Sequence, residues 1–164
     1  MNLIVAVDKK WGIGKSNKIL YNIKPDMEFF KEKTLNSTVI MGRKTLESLP
    51  KGKPLKDRTN IVLTENPLYV SEGVITVESV KEAIACAVFL SKDVYVIGGS
   101  SIYQQFLPYC KTAYVTKIDD ILEADAFCPN LDELKEWEIQ EESKEYVYNN
   151  YSYKFVKYIR VDKK

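Results

Sequence analysis

The chain has 164 residues, 45% apolar and 29% charged, with a formal charge of +1. These totals fit one domain with a sizeable core and give no broad basic field for nucleic acid. With no histidine, a Ser-His-Asp or Cys-His nucleophile and a histidine-based metal site are excluded. The first predicted element is the apolar run at residues 3–7, a strand buried on both faces. Residues 8–20, with Gly12, Gly14 and Asn17 and no periodicity, read as a long loop of the kind that is usually functional or disordered.

A helix is predicted from about Pro25 to Thr34, because Pro25 suits a first helical turn. Asp26 and Phe30 are four apart on it, and Met27 and Phe30 three apart, so the three share one face. A carboxylate among apolar groups is costly unless paired. Two readings stay open: a first-turn acid favoured by the helix dipole, or a pocket acid awaiting a ligand that donates hydrogen bonds.

Next come a strand at 38–41, a helix at 42–49 stopped by Pro50, a loop at 51–56, and strands at 60–64 and Val74–Val77. Ser79 and Glu82 form a capping box, and Val80, Ala83, Ile84, Ala87 and Val88 make a helical stripe. A strand at 93–97 ends in Gly98-Gly99-Ser100-Ser101, which opens a helix to about Leu107. A strand follows at Thr112–Ile118. Residues 137–139 and 151–159 then alternate inward and outward, with Asn149-Asn150 as hairpin chemistry. The expected fold is α/β: a single domain over 1–164, with a doubly wound, mostly parallel sheet, an antiparallel C-terminal edge strand and about four helices. Cys86, Cys110 and Cys128 form no CxxC pair and read as reduced thiols. No run is long enough to span a membrane and the first residues lack a basic start, so a cytoplasmic protein is expected.

Gly42-Arg43-Lys44-Thr45 sits where a strand turns into a helix. The helix start offers free N–H groups to an anion, the basic pair adds charge, and Thr45 adds a hydroxyl. Gly98-Gly99-Ser100 repeats the device. Neither turn matches a standard dinucleotide or P-loop fingerprint. Together they could embrace a pyrophosphate, and the basic pair suits a cofactor with an extra phosphate. Alone, Arg43 and Lys44 could equally be a solvated helix start.

Residues 39–45 (Val-Ile-Met-Gly-Arg-Lys-Thr), the Asp26 helix, the Gly98-Gly99 turn and Asp125-Ala126-Phe127-Cys128-Pro129 stand in the order and spacing of dihydrofolate reductases. From Leu3 to Ile159 the chain resembles a bacterial member of that family. The resemblance implies a monomeric oxidoreductase of one-carbon metabolism that uses NADPH to reduce 7,8-dihydrofolate, passing hydride to pterin C6 and a proton to N5, and that binds antifolates. It implies that Asp26 grips pterin N3 and the 2-amino group, braced by Thr116. Ile4, Val5, Ala6 and Ile97 would wall the pterin, Met27, Phe30 and Leu55 clamp its rings, and Arg58 take the glutamate tail's α-carboxylate. Without the resemblance, Arg58 reads as a solvated loop cation and the apolar three as core. The cofactor groove would include Ala6, Gly42, Arg43, Lys44, Thr45, Leu63, Thr64, Gly98, Gly99, Ser101 and Tyr103, with a cis peptide between Gly98 and Gly99. Ile13, Gly14, Asn17 and Ile19 would belong to a mobile loop closing over the nicotinamide. Leu20-Tyr21 stands where the family nearly always has Pro-Trp, which puts Tyr21 beside the acid as a possible water holder. Glu65 stands near where a small or basic residue is usual. Two other functions stay open: a pyrimidine reductase of riboflavin synthesis, and a non-catalytic NADPH-binding paralogue.

Overall fold

The computed structural model describes residues 1–90 and 93–161, and its axis is strand β1 (Asn2–Val7). The last positions of the expected domain, 162–164, lie outside those residues. After β1 come β2 (Gly12–Lys15), β3 (Lys18–Ile19), α1 (Lys24–Thr34), β4 (Thr38–Gly42), α2 (Arg43–Ser48), β5 (Thr59–Leu63) and β6 (Val74–Val77). Then follow α3 (Val80–Leu90), β7 (Val94–Gly98), α4 (Ser100–Phe106), β8 (Thr112–Ile118), β9 (Ala126–Phe127), β10 (Trp137–Glu142), β11 (Tyr146–Tyr148) and β12 (Tyr151–Arg160).

The main sheet runs β6-β5-β4-β7-β1-β8-β12-β10, with β11 paired to β12. From β6 to β8 all pairs are parallel, and β12 lies antiparallel to β8, β10 and β11. The antiparallel margin is thus wider than one strand, and β12 is interior to it. Asn149 and Asn150, both at positive φ, form the turn between β11 and β12, as their tolerance of left-handed backbone favours.

Alternation along the strands sorts the core into two faces. Leu3, Val5, Val7, Ile40, Ile61 and Val96 pack with Ala83 and Ala87 of α3 and Ile102, Tyr103 and Phe106 of α4. Ile4, Val39, Met41, Val62 and Tyr95 pack on the other face with Leu46 of α2 and Phe29 and Phe30 of α1. The α3 stripe holds except at its end, where Val88 is 65% exposed. That helix buries its alanines against the sheet, and its last turn overhangs. Ser79 Oγ accepts from the Glu82 N–H at 3.0 Å, while the Glu82 carboxylate reaches back to the Glu78 N–H at 3.0 Å.

The expected loop at 8–20 instead carries β2 and β3, two strands of a small sheet, β3-β2-β9. Ser16 and Asn17 adopt positive φ between β2 and β3, and Gly14 pairs with Ile19 on one side and Ala126 on the other. Among the described residues, no helix is long and apolar enough to cross a membrane, and no group of His, Cys, Asp or Glu could hold a metal ion.

Candidate active site

Helix α1 carries the acid. It opens with Pro25 in its first turn and Asp26 directly after, as the dipole favours. The face of α1 is set by Phe29, whose ring stacks on Phe155 of β12 with centroids 4.4 Å apart. Register places Ala6 opposite Thr116 and Thr116 opposite Phe155, so these side chains lie in a row beneath the helix. Thr116 Oγ1 donates to Asp26 Oδ1 at 2.5 Å. Burial pushes the Asp26 carboxyl above the usual range, and the Thr116 hydrogen bond pulls the other way. One carboxylate oxygen is thereby fixed, and Oδ2 is left for another donor.

Tyr21 shares an apolar cluster with Ala6, Ile23 and Tyr153. Its ring meets Tyr151 edge-on at 5.0 Å, and its buried hydroxyl has no hydrogen-bond partner among the described residues. Burial, then the charges of Asp120 and Asp8, push that phenol up. It makes no bond to Asp26. Tyr153, which the sequence reading passed over, is 3% exposed, and burial followed by the Asp26 charge raises its phenol as well.

The apolar wall forms beside the acid. Phe30, Leu55 and Ile97 pack on the cluster that holds Ile4, joined by Leu49, which the sequence reading also passed over. Met27 does not join them and is 51% exposed. Val5 points to the opposite face, so only its backbone borders this side. Tyr103 is buried, and its hydroxyl donates to the Ile4 carbonyl at 2.8 Å. It thus braces the wall from behind, and burial holds its phenol well above the ordinary value. Arg58 is not the solvated cation its composition suggested. Its Nε is buried without a partner among the described residues, and desolvation lowers its pKa against the opposing effect of Asp57. A half-buried guanidinium of this kind suits a planar carboxylate.

The two glycine turns emerge side by side. The β4–β7 register slips after Ile40, so that Met41 lies opposite Gly98, and the peptide between Gly98 and Gly99 is cis. A Cβ built on Gly99 would stand 3.6 Å from Thr45 Oγ1, which measures how nearly the turns meet. Gly42 caps α2 and Gly99 caps α4, neither with a side-chain hydrogen bond, so the first-turn N–H groups remain to be satisfied from outside. This donor set fits the phosphates of a dinucleotide.

Around these turns, Arg43 lies over the Tyr69 ring at 4.5 Å and bonds Glu47 at 2.8 Å. The Lys44 side chain is exposed, and its carbonyl accepts a long bond of 3.5 Å from Asn17 Nδ2. Thr64 is buried and Ser101 exposed, each accepting a local bond, from the Asn66 N–H and from Gln105 respectively. Leu63 and Ile13 pack into the α3–α4 face. Ile19, at 67% exposure, projects from the small sheet. Asp125 fixes that sheet, accepting from the Ser16 N–H at 2.9 Å while its own N–H donates to the Gly14 carbonyl at 3.0 Å.

The arrangement has relatives. The family model described as dihydrofolate reductase matches residues 1–160. Dihydrofolate reductase of Staphylococcus haemolyticus is 38% identical over 163 residues, covering 98% of this chain and 96% of that one. The Bacillus subtilis (strain 168) enzyme is 35% identical over 161 residues, covering 96% and 93%. Dihydrofolate reductase from Enterococcus faecalis, solved in complex with NADP(H) and RAB-propyl, superposes with a TM-score of 0.89 at 37% identity, covering 98% of this chain and 96% of that one. With its acid on α1, its paired glycine turns and matches of this extent, the chain belongs to the dihydrofolate reductase family.

Proposed function

We propose that this protein reduces 7,8-dihydrofolate to 5,6,7,8-tetrahydrofolate with NADPH, and that the residues assembled around Asp26 carry the reaction. The observation that supports this most is the Asp26–Thr116 pair set against the Ile4, Phe30, Leu55 and Ile97 wall. A desolvated carboxylate with one oxygen held inside the protein favours a flat ligand that offers N–H donors at its edge. NADPH, when bound, supplies the hydride. Gly42, Thr45, Gly98 and Gly99 hold its phosphates, and Arg43 takes the 2′-phosphate. Ala6, Ile13, Gly14, Asn17, Lys44, Leu63, Thr64, Ser101 and Tyr103 complete or brace that groove.

The wall orients the pterin and excludes water, which makes the transfer chiefly a matter of positioning. Asp26 grips the pterin edge remote from N5, so a water delivers the last proton. The unpartnered Tyr21 hydroxyl is the candidate to hold it, with Ile19 closing over the site. Met27 and the Val5 backbone border the pterin, and Arg58 takes the tail carboxylate. The proposal extends to a cytoplasmic monomer that binds antifolates and engages no nucleic acid, in keeping with the near-neutral charge. The test follows NADPH oxidation by absorbance with and without dihydrofolate. A fast loss that requires dihydrofolate is expected, and identical slow rates in both cuvettes would refute the assignment.

A further inference from the structure

Asn60 is the second residue of the inner strand β5 and is 2% exposed, a polar side chain ahead of the apolar run Ile61-Val62. It shares the α1–α2 face with Val62, and both ends of its amide are used. Oδ1 accepts from the Leu55 N–H at 3.0 Å, and Nδ2 donates to the Leu55 carbonyl at 2.9 Å and to the Arg58 carbonyl at 3.0 Å. The segment it ties turns at Asp57, at φ +61°, a left-handed conformation that aspartate tolerates better than most L-residues. One buried amide therefore sets the backbone of both residues that flank the tail side of the wall. The strand needs none of these bonds for its own pairing, since the backbone of Asn60 is already in register with Val39 and Val74.

We infer that Asn60 is the positioning residue for the substrate's benzoyl-glutamate tail, fixing Leu55 and the half-buried guanidinium of Arg58 in one rigid clamp. The inference rests on the reading of Leu55 and Arg58 as substrate contacts. Asn60 touches neither substrate nor cofactor in this assignment; it acts through the two residues it ties.

The test compares the intact enzyme with Asn60→Asp, Arg58→Leu and the double variant, using dihydrofolate and a tail-less dihydropterin. Aspartate keeps the shape and the acceptor for the Leu55 N–H but loses both donations and sets a carboxyl against two carbonyls. The expected result is a rise of about tenfold in the KM for dihydrofolate, the size of one displaced charge-assisted contact. The kcat and the KM for NADPH stay within about twofold, and the KM for the tail-less substrate rises clearly less than that for dihydrofolate, because Leu55 also borders the pterin whereas Arg58 meets the tail alone. In the Arg58→Leu background the Asn60→Asp effect shrinks, because both changes remove the same contact. Equal losses on both substrates, or strictly additive effects, would overturn the inference. An unchanged KM in Asn60→Asp beside a normal Arg58→Leu defect overturns it alone. An Arg58→Leu enzyme with unchanged KM refutes the reading of Arg58 and the inference with it. If Asn60→Asp does not fold, Asn60→Ser is measured in the same way, with the same outcomes deciding.

Discussion

Replacing Asp26 by Asn separates what the carboxylate does for the fold from what it does for the reaction. The folded carboxyl titrates above its ordinary value because burial disfavours the charged form, despite the Thr116 bond. Between the unfolded value, about 3.9, and the raised folded one, the native state binds the extra proton. Stability is therefore fully present below the unfolded value and falls as pH rises through the folded one. Asparagine cannot ionise, yet its amide oxygen still accepts from Thr116 Oγ1, now 2.5 Å from Oδ1. Losing the charge assistance costs about 1 kcal/mol, while relief from desolvation returns several kcal/mol at most. A net gain of about 2 kcal/mol is expected at neutral pH, or roughly 4–8 °C in Tm for a chain of this size, shrinking to nothing in acid. Turnover of dihydrofolate should fall by roughly 10²–10⁴-fold, as for a lost acid-base group. Urea unfolding at several pH values and NADPH oxidation read the two effects. A variant as pH-dependent in stability as the parent, or one with near-normal turnover, would refute the reasoning.

Thr116→Val removes the hydroxyl that lowers the Asp26 pKa, so the carboxyl should titrate higher still, visible as a shifted carboxyl ¹³C titration curve; an unmoved curve would contradict the pairing. Tyr21→Phe should lower kcat several-fold at unchanged KM if its hydroxyl holds the proton-delivering water, and equal kcat would remove Tyr21 from the reaction. Arg43→Leu should narrow the preference for NADPH over NADH, mainly through the KM for NADPH, whereas equal use of both cofactors by the parent would remove Arg43 from that role. Gly98, at φ +120° with the Tyr103 ring 3.4 Å from a built Cβ, should lose about 1–3 kcal/mol as alanine. Gly99→Ala meets only Thr45 Oγ1 at 3.6 Å, so it should keep its urea midpoint and weaken NADPH binding; an unchanged KM for NADPH would show that the turn holds no phosphate.

What the sequence made legible is what local chemistry dictates. Pro25 and Asp26 opened α1, the apolar runs became β1, β4 and β5, and Asn149-Asn150 made a turn. The hairpin of β2 and β3 was hidden because its partners are non-local: Gly12 and Gly14 pair with β9, more than a hundred residues away, and glycines leave no alternating pattern. Val88 kept the helical period yet faces outward, since periodicity cannot report where a helix leaves the sheet. Arg58 looked like any loop cation, because desolvation is a property of its neighbours. The same holds for Asn60, whose three bonds fall on a short stretch that carries no motif. Tyr103 was expected in the groove, and the structure sets it behind the wall, bonded to Ile4.

Strand β12 is the last in sequence among the described residues and lies between β8 and β10 rather than at the margin. The helix that bears Asp26 is synthesised early and Phe29 meets Tyr114 of β8 edge-on at 6.4 Å, but its stacking partner Phe155 emerges from the ribosome only with β12. The seat of the acid is therefore completed only after β12 has been made. A nascent chain carrying α1 through β8 would expose the whole unpaired edge of β8, a template for association with other chains. Quality control of this protein should accordingly act on the interval between β8 and β12. A premature stop within β12 should yield a chain that is captured by chaperones or degraded, not a weakened enzyme.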